Sequence, residues 1–274
     1  MHADGCNVLI HWTAGGFKSK KYPETWTHNK DHENVKADFT AAMIDYAHDK
    51  GIRVLPGFTP FGYDGIKRYT DTRPELVATG KDGQPASEFG IFCWGKSLCP
   101  AKPKSREFQL EYVREMLEFY PKADGLFIES SDYSTCWCEM CGQRNGTGHF
   151  EQEYEFVKTI SAEVWKKNEQ ATVVVYPHYF SGNEAKQTND KATAAKLPFD
   201  ERYTLFFTPH SAALNPKLVK QAKDAIWWDE AMLSGTPQGV RTRANRGRRA
   251  NARCPSASAG CHRRSRPTTS CRCG

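Results

Sequence analysis

Along residues 1–234, short β-rich apolar runs alternate with amphipathic stretches, and each run closes on polar or aromatic side chains. The first run leads into HWTAGGF rather than a G-x-G-x-x-G turn. Alternation of this kind builds βα units around a parallel sheet, and a doubly wound nucleotide-binding sheet usually shows the glycine fingerprint after its first strand. Together these observations predict an α/β fold over residues 1–234: an incomplete (β/α)8 TIM-type barrel, whose functional groups belong at the C-terminal strand ends. Residues 235–274 are expected to form a disordered, Arg-rich tail.

The elements follow in order. CNVLIHW (6–12) reads as the first strand. Over 33–50, Val35, Phe39, Met43, Ile44 and Ala47 recur at helical spacing, with Lys50-Gly51 as the stop. IRVLPGF (52–58) is the second strand, and a long loop rich in Gly, Pro and aromatics runs to Pro103. The helix over 104–119 sets Phe108, Tyr112, Met116 and Phe119 on one face, and Pro103 suits its first turn, where a missing N–H costs nothing. DGLFIES (124–130) is a strand, 150–167 a helix and TVVVYPHYF (172–180) a strand. A short helical or irregular stretch near 184–196, the strand YTLFFTPH (203–210), a helix over 215–223 and the strand AIWWDE (225–230) complete the series. Six strands are two fewer than a closed barrel uses, and the last units are expected to lie in a lost reading frame.

The chain of 274 residues matches the size of such a barrel, ~250 residues. It contains no run of 18 apolar residues, so no membrane span is expected. MHADGCNVLIHW lacks a basic segment, an apolar stretch and a cleavage site, so no signal peptide is expected in this stretch. The chain as written is expected in the cytoplasm, or exported if its natural start lies upstream.

The net charge of +6 comes from the end of the chain. Residues 235–274 hold ten Arg and no Lys, Asp or Glu, which leaves 28 basic against 32 acidic residues before them. From about Gly239, Leu, Ile, Phe, Tyr and Trp also vanish, while residues with GC-rich codons remain, as a frameshift would produce. Two other readings compete: a basic nucleic-acid arm, or a metal or disulfide knot of Cys254, Cys261, Cys271 and Cys273. A basic arm ordinarily mixes Lys with Arg and adds stacking aromatics, and this stretch does neither. No nucleic-acid partner is therefore expected.

The strand ends carry His11 and Trp12, Asp64, Glu129 and Asp132, Tyr176 and His178, His210, and Asp229 with Glu230. Sugars need this mixture, because carboxylates do acid/base work and flat aromatics stack on the C–H faces of a pyranose. Any one strand-end Asp is more often a helix cap than a catalyst; the recurrence at successive ends favours a site. Glu129, Asp132, Asp229 and Glu230 are the catalytic candidates. His11, Trp12, Asp64, Tyr176, His178 and His210 are the substrate-binding ones. In the pair Glu129–Asp132, like-charge repulsion and partial burial would raise one carboxyl toward general-acid range.

Cys136-x-Cys138-x-x-Cys141 follows at once. Three thiols so close suggest a structural zinc with a fourth ligand from Cys99, Cys93 or His149, or disulfides to Cys93 or Cys99, or unpaired thiols. The cluster would pin the segment that carries Asp132.

Arg73-Pro74-Glu75-Leu76, Leu98-Cys99-Pro100-Ala101-Lys102-Pro103 and Glu129–Asp132 stand in the order found in glycoside hydrolases of family 20. Over roughly residues 5–234 the chain resembles that family and related bacterial domains of unknown function, in which an acidic strand end precedes Cys-x-Cys-x-x-Cys, as Ser131-Asp132 and Cys136–Cys141 do here. The resemblance implies a barrel, glycoside hydrolysis and a carbohydrate substrate. Hexosaminidases of that family place adjacent Asp-Glu on this strand. Here Glu129 and Asp132 are three apart and reversed, so substrate-assisted attack by an acetamido group does not carry over. The expected function is a glycoside hydrolase-like domain acting on a glycan or glycoconjugate, with Glu129 as general acid. The rivals are a non-catalytic carbohydrate-binding barrel held by a structural metal, and nucleic-acid binding through the Arg-rich tail.

Overall fold

A computed structural model describes residues 7–12, 17–37, 39–62, 68–86, 96–129, 136–142, 147–176, 200–207, 219–220, 222–227 and 241–242. Six strands lie in one sheet: β1 (Val8–Trp12), β2 (Arg53–Phe58), β3 (Gly125–Glu129), β4 (Thr172–Tyr176), β5 (Thr204–Phe207) and β6 (Asp224–Trp227). Each pairs in parallel with the next in sequence. A doubly wound sheet must reverse its strand order at a switch point; a sheet that never reverses is the part-barrel arrangement, here six strands of a curled half-barrel. A seventh, two-residue strand, β7 (Arg241–Thr242), pairs antiparallel with β6 through Trp227 and Ile226. It is the described part of the stretch 235–274, and it occupies backbone groups that an edge strand would otherwise leave open.

The helices are α1 (Glu33–Ala37), α2 (Thr40–Asp49), α3 (Pro103–Phe119) and α4 (Thr147–Lys167). Pro103 opens α3 at its first turn. The stretch 33–50, read as one helix, is two. At the break Phe39 is 39% exposed rather than buried, with its ring edge-on to His11. The irregular stretch near 184–196 lies outside the described residues, and of 215–223 only 219–220 are seen as helical.

Alternation sorts every strand into two faces. Val54, Leu126, Ile128, Val173, Val175, Leu205 and Phe207 pack against Ile44, Met116, Val157, Ile160 and other helix residues. Leu55, Phe127, Val174, Tyr176, Phe206 and Ile226, with Val8 and Ile10, form a second cluster on the inner face of the curl. Along β3, β4 and β5 both faces are covered, which is why these strands read as continuous apolar runs. Each such Leu, Val or Phe contributes about 1.5–3 kcal/mol when fully buried.

At the N-terminal edge of the sheet, the Asp124 carboxylate accepts hydrogen bonds from the Val54 amide and from His48 Nε2, both at 2.7 Å. These tie α2, β2 and the start of β3 together. On the outside, Arg114 of α3 donates two hydrogen bonds to Glu163 of α4, at 2.8 and 3.0 Å.

Candidate active site

Glu129 is the last residue of β3 and is half-buried. Its Oε2 accepts a 3.4 Å hydrogen bond from the hydroxyl of Thr59, a buried residue just past β2. The β3–β4 register sets Glu129 beside Tyr176, whose ring meets Phe206 edge-on at 5.2 Å. One pleat below, Trp12, Gly57 and Phe127 share a row. The Trp12 ring stands edge-on to Phe127 at 5.5 Å and is 44% exposed, while Phe127 packs on Phe206 at 5.3 Å. Gly57 makes this possible, since a Cβ there would lie 3.1 Å from Phe127 and 3.3 Å from Trp12. The inner face therefore ends in an aromatic floor, an accessible indole and a hydroxyl-bonded carboxyl, all at C-terminal strand ends. A carboxyl in this setting can exchange a proton with a bound polar group, and the indole offers a stacking face.

His11 stands apart from this group. It precedes Trp12 by one residue, so alternation turns it to the helix side. There its Nε2 lies 3.2 Å from Thr40 Oγ1 of α2, and burial pushes its pKa below the ordinary histidine value. The period of the strand thus sets His11 and Trp12 on opposite faces of the sheet. Asp64, Asp132, His178, His210, Asp229 and Glu230 lie outside the described residues. Of the sequence candidates for catalysis and substrate binding, the structure brings Glu129, Trp12 and Tyr176 together. Thr59, Gly57, Phe127 and Phe206 were not singled out from the sequence; Thr59 could have been, since it continues the inner-face alternation of Leu55 and Gly57. Arg73, in the segment that resembles the family pattern, is held by Glu24 at 2.8 Å and lies over the Tyr69 ring at 3.7 Å.

A second constellation joins Cys99 to Cys136, Cys138 and Cys141. All four are free thiols, and their sulfurs lie within 4.8 Å of one another. Cys99 Sγ is 3.7 Å from both Cys138 Sγ and Cys141 Sγ. Of the three candidate partners for the Cys-x-Cys-x-x-Cys run, Cys99 is the one at hand. His149 instead accepts the Cys136 backbone N–H on Nδ1 at 3.0 Å, and Cys93 lies outside the described residues. Hydrogen bonds from Cys141 and Cys99 hold the Cys136 thiol far below the usual range. Donation to Cys136 pushes Cys99 up to about 12, and Cys141 is raised for the same reason.

The curled, sequentially parallel sheet with an acid closing its third strand defines the class: an α/β fold of the (β/α) barrel type. No family model matches the chain, and no curated protein sequence matches it. Solved structures do. The β-N-acetylhexosaminidase of Bacteroides fragilis superposes with a TM-score of 0.53 at 14% identity, over 82% of this chain and 43% of that one. The chitobiase of Flavobacterium johnsoniae gives 0.54 at 13%, over 81% and 33%. The β-N-acetylhexosaminidase of Streptomyces coelicolor, a glycoside hydrolase of family 20, gives 0.50 at 16%, over 81% and 41%. The likeness is one of fold, and the chain spans less than half the length of each of these structures.

Proposed function

We propose that this domain is a glycoside hydrolase acting on a glycan or glycoconjugate by carboxylate acid/base catalysis, with Glu129 as the general acid. The observation that carries the reading is the place of the Glu129 carboxyl: on the inner face at the end of β3, bonded by Thr59, beside Tyr176 and above the accessible Trp12, in a fold shared with β-N-acetylhexosaminidases. Glu129 protonates the glycosidic oxygen as its bond to the anomeric carbon breaks. A second carboxylate either takes a proton from the attacking water or attacks the carbon itself. Asp132, or the pair Asp229 and Glu230, supplies that carboxylate; Asp64, His178 and His210 orient hydroxyls, Trp12 stacks on the ring, and Tyr176, buried against Phe206, backs the site beside Glu129. The residue before Glu129 is Ile128, fully buried toward the helices, so no carboxylate there steers an acetamido group.

Chromogenic hexosides and N-acetylhexosaminides, tested beside a glycan-binding array, decide the matter. Hydrolysis is expected, with Glu129→Gln lowering kcat by ~100-fold or more and leaving KM within a few-fold. Glycan binding without turnover would instead support a non-catalytic carbohydrate-binding barrel, and a near-normal rate in Glu129→Gln removes the acid role.

A further inference from the structure

We propose that Cys99, Cys136, Cys138 and Cys141 bind one zinc ion as a closed four-thiolate site. Four sulfurs around zinc at ~2.3 Å form a tetrahedron whose edges are ~3.8 Å. The two Cys99 separations of 3.7 Å match that edge, and no pair among the four exceeds 4.8 Å. A disulfide would need two of these sulfurs at ~2.05 Å. Cys99, Cys136 and Cys141 are buried and Cys138 is half-buried, which leaves no open position for substrate and marks the site as structural rather than catalytic.

Backbone hydrogen bonds hold the cluster in place. The Thr79 amide donates to Cys136 Sγ at 3.3 Å, and the Trp137 amide bonds the Thr79 carbonyl at 2.7 Å, so the segments carrying Cys99 and Cys136 are laced together. Cys99 is held in turn by its own N–H on Leu76 O at 2.9 Å, next to Leu98 on Phe61 O at 3.0 Å. Behind the cluster stands His149. A backbone N–H can only donate, so Nδ1 is an acceptor and the ring proton sits on Nε2, which faces Glu153 at 3.5 Å; both side chains are fully buried. This carboxylate–imidazole pair fixes the Cys136 backbone, a supporting role like that of outer-shell groups at metal sites.

The place of the site gives its role. Cys99 lies just before α3 and Cys141 just before α4, so one ion clamps the chain segments that leave β2 and β3 and enter consecutive helices. Those are the segments that border Thr59 and Glu129. The inference stands apart from the glycosidase reading, because the ion holds the fold whether or not sugar is cleaved.

The full chain, purified without chelator from zinc-supplemented cells, is expected to carry one zinc per molecule by elemental analysis. Cobalt exchange should give intense tetrahedral d–d bands with thiolate-to-metal charge transfer. Cys138→Ser, at the most exposed ligand, should shift that spectrum to a three-thiolate one and weaken retention against chelator at least ~10-fold. Where Cys136→Ser does not fold, the wild-type cobalt spectrum alone still discriminates. Changing Cys254, Cys261, Cys271 and Cys273 together to Ser should leave both metal content and spectrum intact. Metal-free protein, iron in place of zinc, loss of metal in that tail variant, or disulfides among the four cysteines by mass would each overturn the proposal.

Discussion

Gly125 opens β3 with φ of +155°, and a Cβ there would sit 1.8 Å from the Thr172 carbonyl oxygen. Both the backbone angle and the close approach of β4 exclude a side chain. Gly125→Ala is therefore expected to cost about 2–4 kcal/mol of stability, read as a fall in the urea midpoint; an unchanged midpoint would mean that the strands part there freely. His11 makes a different residue-scale prediction. Burial lowers its pKa from 6.5 in the folded chain, so below that value the unfolded chain binds a proton that the folded one resists. Stability should be complete above pH 6.5 and decline as the pH falls toward the lower folded value. His11→Asn should flatten that decline in a Tm-against-pH series from 7.5 to 5. Equal slopes in the two proteins would show that the imidazole titrates freely. His11 also marks a limit of sequence reading. Strand-end position flagged His11 and Trp12 alike, yet the two-residue period put only one of them on the inner face with Glu129 and Tyr176, and that period was legible without coordinates.

At the scale of elements, α4 and the cysteine segment interlock at one atom. A Cβ on Gly148, in the first turn of α4, would lie 1.6 Å from the Cys141 carbonyl oxygen. Helix propensity alone favours alanine over glycine by about 1 kcal/mol. Steric overlap of this size with backbone outweighs it, so Gly148→Ala should lower Tm and loosen the cysteine segment, raising the rate at which a thiol reagent labels Cys136, Cys138 and Cys141. A higher Tm would show that propensity wins and that the contact yields. The strands were the most legible elements, since β3, β4 and β5 are near-continuous apolar runs that are almost wholly buried. The helix boundaries were less so. Near the division between α1 and α2, Phe39 rests against His11, and inside α4 Gly148 lies against Cys141. These are tertiary contacts with no local signature. For the same reason the sequence left three candidates for the fourth cysteine-cluster member, and only the meeting of the segments before α3 and α4 selects Cys99.

For the molecule as a whole, the strand order that never reverses was implied by the βα alternation, while the pairing of residues 241–242 with β6 was not, because an edge accepts almost any extended segment through backbone groups alone. The charge is distributed just as unevenly. Residues 243–274 hold nine Arg and no acid, so ending the chain after Thr242 changes the net charge from +6 to −3 while keeping β7. Those residues also lack Leu, Ile, Val, Phe, Tyr and Trp, the side chains from which a core is built. A chain of residues 1–242 should therefore melt within a degree or two of the full chain. It should also lose the retention on a heparin column that nine clustered guanidinium groups confer, a retention that falls steeply with salt. Because charge and core burial act independently here, the two measurements separate. A Tm drop of many degrees would mean that the Arg-rich stretch packs on the barrel, and undiminished heparin binding would move the basic surface onto residues 1–242, where acids outnumber bases.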